Sequence, residues 1–475
     1  MPVSRAFQPR SAFAQMGPDF ADPVEAADFP QTILRFRHQR VATRLGLDSL
    51  TDEEWLSHFG RFQTLPGAQP RALALRYHGH QFRSYNPDLG DGRGFLFAQM
   101  EEHSGRGARL ADLSTKGSGR TPYSRSGDGR LTLKGGVREV LATAMLEALG
   151  VPTSDSLSLI ETGEPLHRND EPSPTRGAVL VRRTHASIRF GTFQRHAFHD
   201  RPDLVARLVD HVVATYHPHL ESSPVPAAAL LREVVRRTAD LAAAWMAAGF
   251  VHGVLNTDNM NINGESFDYG PYRFLPRNDP NFTAAYFDQN GLYAFGRQPE
   301  AVYWNLRQLA GCLLLVADEA ALGDALGHFA TDYREALSRR MLARLGVRSV
   351  GPAEDVELVN AAFKALAAGG VDLRWEPFFF DWFGGAASVQ RALSGPRAAL
   401  YQTEPFTAFR ALLESRRTDR PERLSHPLFQ KVEPVELLYD QIEALWARIA
   451  VDDDWRGMDA KLAEIEQARL GYGLS

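Results

Sequence analysis

The 475-residue chain is 44% hydrophobic and 23% charged, a balance that belongs to soluble globular proteins and excludes a disordered or fibrous one. A formal charge of −5 and an isoelectric point near 6.3 provide no general attraction to nucleic acid or anionic lipid, so neither is an expected partner. The best apolar run, Leu309 to Ala317, is shorter than the roughly 20 residues a membrane span needs. No apolar signal core follows Met1, and the single cysteine, Cys312, excludes an internal disulfide. The expected location is the cytoplasm.

Residues 1–70 read as an N-terminal extension, with Pro and Gly scattered through short helical patterns such as Pro30 to Leu45. From Arg71 the chain changes to short β-like runs joined by glycine-rich turns, including Phe95-Leu96-Phe97, Leu157 to Ile160 and Ala178 to Val181. One helical pattern, Val137 to Leu149, interrupts them and stops at Gly150 ahead of Pro152. Asn169 to Arg176 reads as a surface loop between two strands. Beyond Gly191 apolar residues recur at three-to-four spacing over Leu204 to Tyr216, Ala228 to Ala248, Gln298 to Ala317 and Pro434 to Ile449. These patterns predict an α+β fold, with a β-rich first lobe at 71–195 and a helical second lobe at 196–475 that includes a C-terminal helical extension.

The segment His252-Gly253-Val254-Leu255-Asn256-Thr257-Asp258-Asn259, followed by Asp268-Tyr269-Gly270, has the layout of a kinase catalytic loop and its later metal-binding aspartate. Asn259 and Asp268 offer the hard oxygen donors that Mg²⁺ prefers. Val254 stands where a kinase places its base, and valine cannot accept a proton. Asp258 is the nearest replacement carboxylate and the candidate general base; the competing reading is an Asx-type turn formed by Asp258 and Asn259. Upstream, Leu113 to Lys116 reads as a strand ending in lysine, and Glu139 lies in the following helix, the order of a phosphate-orienting Lys–Glu pair. Gly90-Asp91-Gly92-Arg93 and Gly127-Asp128-Gly129-Arg130 are two turns whose backbone N–H groups can approach phosphates. Arg182 and Arg189 are candidate phosphate clamps or exposed strand arginines. His78, His80 and His252 show no zinc spacing, and Phe378 to Phe383 reads as core.

On these residues the chain resembles the selenoprotein O family of the bacterial YdiU type, from about Gln81 to Glu300. The resemblance is carried by His78-Gly79-His80-Gln81-Phe82, Leu89 to Arg93, Thr121 to Arg130, Ser187-Ile188-Arg189-Phe190-Gly191, and His252 to Asn259 with Asp268-Tyr269-Gly270. It implies a protein-kinase-like bilobal fold in which ATP lies inverted, so that AMP passes to Ser, Thr or Tyr hydroxyls of proteins and diphosphate leaves. It implies ATP contacts at Gly90, Gly92, Arg93, Lys116, Asp128, Gly129, Arg182, Arg189 and Asp268, metal ligands Asn259 and Asp268 for Mg²⁺ or Mn²⁺, and Asp258 as proton acceptor. UMP transfer from UTP with Mn²⁺ is a further activity linked to some bacterial members. Arg83 and Arg120 stand where glycine and proline are usual, Gln99 where Glu is usual, and Gly135-Gly136 where Ser is common. The family's C-terminal cysteine or selenocysteine is not in the closing run Gly471 to Ser475, so redox control through it is not expected. Two other functions compete: an ATP-binding pseudokinase scaffold without chemistry, and a kinase whose base has moved.

Overall fold

The computed structural model describes residues 3–104, 107–169 and 171–474. Met1, Pro2, Gly105, Arg106, Ser475 and Asp170, the last within the expected 169–176 loop, lie outside them. The strands run in chain order as β1 Pro9–Arg10, β2 Ala21–Val24, β3 Ile33–Arg37, β4 Ala72–Leu75, β5 Gly79–Gln81, β6 Ser84–Asn86, β7 Leu96–Ser104, β8 Gly107–Lys116, β9 Leu131–Thr132, β10 Asp155–Leu166 and β11 Thr175–Thr184. The main sheet is antiparallel and ordered β2-β4-β7-β8-β11-β10-β3, with β1 added to β7 and β9 to β11, while β5 and β6 form a separate hairpin.

Both faces of this sheet are covered, which is why β11 carries the unbroken apolar run Ala178 to Val181. Phe97, Leu113, Leu157, Val179 and Val181 pack on one side against Val41, Leu45, Trp55 and Phe59. The other side carries Leu96, Leu159 and Leu180 against Val137, Val140 and Leu141 of helix Leu133–Ala148. That helix starts four residues before the apolar pattern suggests, because the Thr132 hydroxyl accepts from the Gly135 N–H and caps it. Residues 30–45 depart from the helical expectation: Ile33–Arg37 is an edge strand paired with β10, and only Gln39–Arg44 is helical. The pairing, reinforced by an Arg35–Glu161 ion pair at 2.6 Å, overrides the local apolar spacing.

The remainder is mostly helical, with one short antiparallel pair, Phe250–Val251 against Arg273–Phe274. Pro202–Tyr216, Pro226–Ala247, Gln298–Leu313 and Phe329–Leu345 form its body, and Trp375–Trp382 lies buried in a second core with Leu366, Phe409 and Leu413, as the aromatic run suggests. The last two helices, Tyr439–Asp452 and Arg456–Tyr472, return to the sheet lobe, where Glu443 pairs with Lys134 (2.8 Å) and Asp453 with Arg176 (2.7 Å). This is an α+β, kinase-like arrangement. Among the described residues no helix is long and apolar enough to cross a membrane.

Candidate active site

In the β8–β11 register Lys116 lies opposite Leu180 and Ser114 opposite Arg182, so the Lys116 and Arg182 side chains leave the same face of the sheet. Glu139, half-way along the helix beneath that face, ion-pairs with Lys116, and both are buried, at 1% and 4% exposure. The Lys116 ammonium also meets the Asp268 carboxylate at 2.5 Å, and Arg182 approaches the same oxygen at 3.4 Å. Asp268 itself has φ of 63°, in the left-handed region that few non-glycine residues occupy. The preceding residue is braced by buried His252, whose Nε2 donates to the Phe267 carbonyl at 2.9 Å. Burial pushes the Asp268 pKa upward, but the fields of Lys116, Arg182, Arg93 and Arg189 reverse this and hold it well below the usual carboxylate range. It is an anion ringed by cations.

The loop that bears Asp258 follows helix Pro226–Ala247 and is pinned from three directions. Gln298 and Asn305, on helix Gln298–Leu313, bond the backbone of Phe250, His252 and Leu255. Gln194 accepts from the Thr257 hydroxyl (2.6 Å), and the hairpin β5–β6 donates from His80 N–H to Thr257 and from Phe82 N–H to Asn256. Thus held, Thr257–Asn259 forms one tight turn. Asp258 is 8% exposed, and its Oδ1 is buried without a hydrogen-bond partner among the described residues. Burial raises its pKa to about 6, against the lowering effect of Arg189 and with a further rise from Asp268. A buried carboxylate with a free oxygen and an elevated pKa has the properties of a general base. Asn259 donates its amide to the Val254 carbonyl at 3.0 Å, which orients the side chain and spares its Oδ1 as a ligand atom.

Gly90, Gly92, Arg93, Lys116, Asp128, Gly129, Arg182, Arg189, Asp258 and Asp268 all line one cleft of about 690 Å³. Glu139 and Asn259 are outside its lining and act on it through Lys116 and the Asp258 turn. The glycines have a packing reason: a Cβ on Gly90 would lie 2.3 Å from the Tyr123 ring, and one on Gly92 2.8 Å from the Tyr123 carbonyl oxygen. The 89–94 and 121–130 segments therefore stack directly on each other. Asp128 turns toward Arg168, at 2.8 Å, on the rim. Arg182 and Arg189 are not exposed strand arginines. The Arg189 guanidinium lies between the rings of Tyr77 (4.6 Å) and Phe267 (4.8 Å) and donates to the Asp258 carbonyl at 2.7 Å.

Asp91 and Arg125, quoted in the sequence only as parts of turns and given no role there, and Tyr77 also line the cleft. Asp91 faces Arg189 at 3.5 Å and accepts from the Leu75 N–H; burial raises its pKa. Its only sequence signal was the Gly-Asp-Gly turn.

Asn259 Oδ1 and the Asp268 carboxylate are oxygen donors of the kind a divalent cation takes together with phosphate and water, and in this structure the Asp268 carboxylate is paired with Lys116 and Arg182. A second convergence, His38, Glu147 and Asp155, does not: Arg40 neutralises Glu147, and Arg44 and Arg183 neutralise Asp155.

The family model described as protein adenylyltransferase SelO matches residues 4–466. The chain belongs to this family. Its relatives include the protein nucleotidyltransferase YdiU of Gloeobacter violaceus, 49% identical over 94% of this chain and 92% of the relative. Those of Synechococcus elongatus and Synechocystis are 47% and 43% identical, covering 95% and 94% of this chain and 93% and 95% of the relatives.

Proposed function

We propose that this protein nucleotidyltransferase acts as an adenylyltransferase, moving AMP from ATP to Ser, Thr or Tyr hydroxyls of other proteins. The observation that carries this reading is the juxtaposition of Asp258, buried with a free oxygen, against the Lys116–Asp268–Arg182–Arg189 cluster in a single cleft. Lys116 and Arg182, with Arg93 at the mouth, hold the β- and γ-phosphates, and Arg189 holds the α-phosphate next to Asp258. The acceptor oxygen forms a bond to the α-phosphorus as its proton passes to Asp258. The bond from that phosphorus to the bridging oxygen breaks, and diphosphate leaves with the electron pair. Mg²⁺ or Mn²⁺, held by Asn259 and Asp268, would neutralise charge on the phosphates. Glu139 keeps Lys116 extended, and Asp91 keeps Arg189 in place.

The same reading assigns nucleotide binding to residues 71–195, and the proton acceptor and metal ligands to the helical portion, with ATP and protein acceptors as cytoplasmic partners. Intact-mass measurement of an acceptor protein after incubation with ATP and divalent metal tests it. An adduct of AMP size supports the reading; one of phosphate size makes the protein a kinase, and none with tight ATP binding makes it a scaffold.

A further inference from the structure

A second cavity, of about 490 Å³, adjoins the nucleotide cleft and shares Arg93, Lys116, Arg130 and Arg168 with it as a common wall. Helix Leu133–Ala148, the segment after Asp268, and Tyr439 and Glu443 of the C-terminal extension enclose it. Its charge is one-sided. Cationic side chains outnumber carboxylates, and among the described residues only Glu171 and Glu443 bring negative charge to the lining; Glu443 is already paired with Lys134 at 2.8 Å.

Among the described residues Arg138 and Arg273, like Arg93, form no ion pair with a carboxylate. Arg138, 9% exposed, donates to the main-chain carbonyls of Gly270 (3.2 Å) and Tyr272 (3.3 Å). Arg273 donates to those of Pro271 (2.7 Å) and Tyr272 (2.8 Å). Neither forms an ion pair with a described residue. Both guanidinium groups gather at the Tyr439 ring, at 3.8 Å for Arg273 and 5.9 Å for Arg138. Burial, and then the neighbouring Arg138, push the Arg273 pKa downward. Two like charges sharing a partly desolvated wall are unfavourable until an anion joins them, and guanidinium groups match phosphate oxygens in geometry as well as charge.

We infer that this cavity is a second phosphate site, separate from the nucleotide cleft, that takes up the diphosphate displaced from ATP. Its identification as the product's site rests on the transfer reaction proposed above; its preference for compact polyanions rests on Arg138 and Arg273. Lys116 and Arg93, with Arg130 and Arg168 common to both cavities, form the path between them. Uptake is a binding step in which no covalent bond changes.

Calorimetric titration of inorganic diphosphate into the full-length protein saturated with α,β-methylene-ATP tests the inference. Diphosphate binds the saturated protein, and Arg273→Gln weakens that binding by about 10-fold or more, the usual worth of a charge-assisted contact to phosphate. Arg273→Lys restores part of it. Affinity for the ATP analogue stays at the wild-type value in both variants, which also reports that they are folded. Failure of diphosphate to bind the saturated protein, or equal binding by wild type and Arg273→Gln, overturns the inference. An acidic peptide that binds in place of diphosphate and is lost in Arg273→Gln makes the cavity an acceptor-docking site and overturns it equally. If Arg273-dependent diphosphate binding persists but no AMP transfer is found, the anion site stands, the product assignment falls, and the error lies in the proposed reaction.

Discussion

Replacing Asp258 by asparagine keeps the size of the side chain, removes its charge and sets activity against stability. The folded-state pKa, about 6, stands above the ordinary 3.8, chiefly because of burial. A raised carboxyl pKa means that the folded protein binds the extra proton, so the stability it confers is complete below about pH 4 and is lost as pH rises through about 6. At 1.36 kcal/mol per decade, keeping this carboxylate ionised at about pH 8 costs about 3 kcal/mol. In metal-free protein, where no bound cation alters the local field, Asp258→Asn is therefore more resistant to urea than wild type at about pH 8, by up to this amount. The difference closes toward about pH 4. Because asparagine cannot take the acceptor's proton, AMP transfer falls by about 10²–10⁴-fold while ATP still binds. Wild-type turnover in Asp258→Asn, or a variant less stable than wild type at about pH 8, would show that the carboxylate serves the Thr257–Asn259 turn rather than chemistry.

Asp268→Asn has the opposite stability sign. Its carboxylate is held ionised by Lys116 and Arg182, a contribution present above the normal carboxylate range and lost as pH falls, so the variant loses about 1–3 kcal/mol near pH 7 and all divalent-dependent transfer. Unchanged turnover and unfolding would remove Asp268 from the site. Arg189→Ala weakens ATP binding by about 1.5–3 kcal/mol in calorimetry; wild-type affinity would mean that the guanidinium between Tyr77 and Phe267 is structural. Gly90→Ala forces a methyl group to within 2.3 Å of the Tyr123 ring, costing about 1–3 kcal/mol and raising the KM for ATP as the two stacked segments separate. An unchanged KM and melting point would refute their direct stacking.

Features legible in the sequence were those set by near neighbours. Gly150 and Pro152 mark the end of helix Leu133–Ala148, the run to Lys116 is a strand, and the order of Lys116, Glu139, Asp258 and Asp268 anticipates the cleft. What escaped depends on partners far along the chain. Ile33–Arg37 is a strand because β10, more than a hundred residues later, offers it an edge. Gly90 and Gly92 suggested close approach to phosphate, yet Tyr123, which no local pattern ties to them, is what crowds their Cα atoms. Asp91 looked like a turn residue until Arg189, from the end of the lobe, came to face it. Arg138 and Arg273 had no signal, since their lack of carboxylates appears only when helix Leu133–Ala148, the segment after Asp268 and Tyr439 are assembled.

The most direct test of AMP transfer is to incubate the protein with an acceptor and divalent metal in parallel reactions containing ATP labelled at the α- or the γ-phosphate. The α label should enter Ser, Thr or Tyr side chains and the γ label should leave as diphosphate, both dependent on Asp258 and Asp268. Label from the γ position on the acceptor would contradict the account.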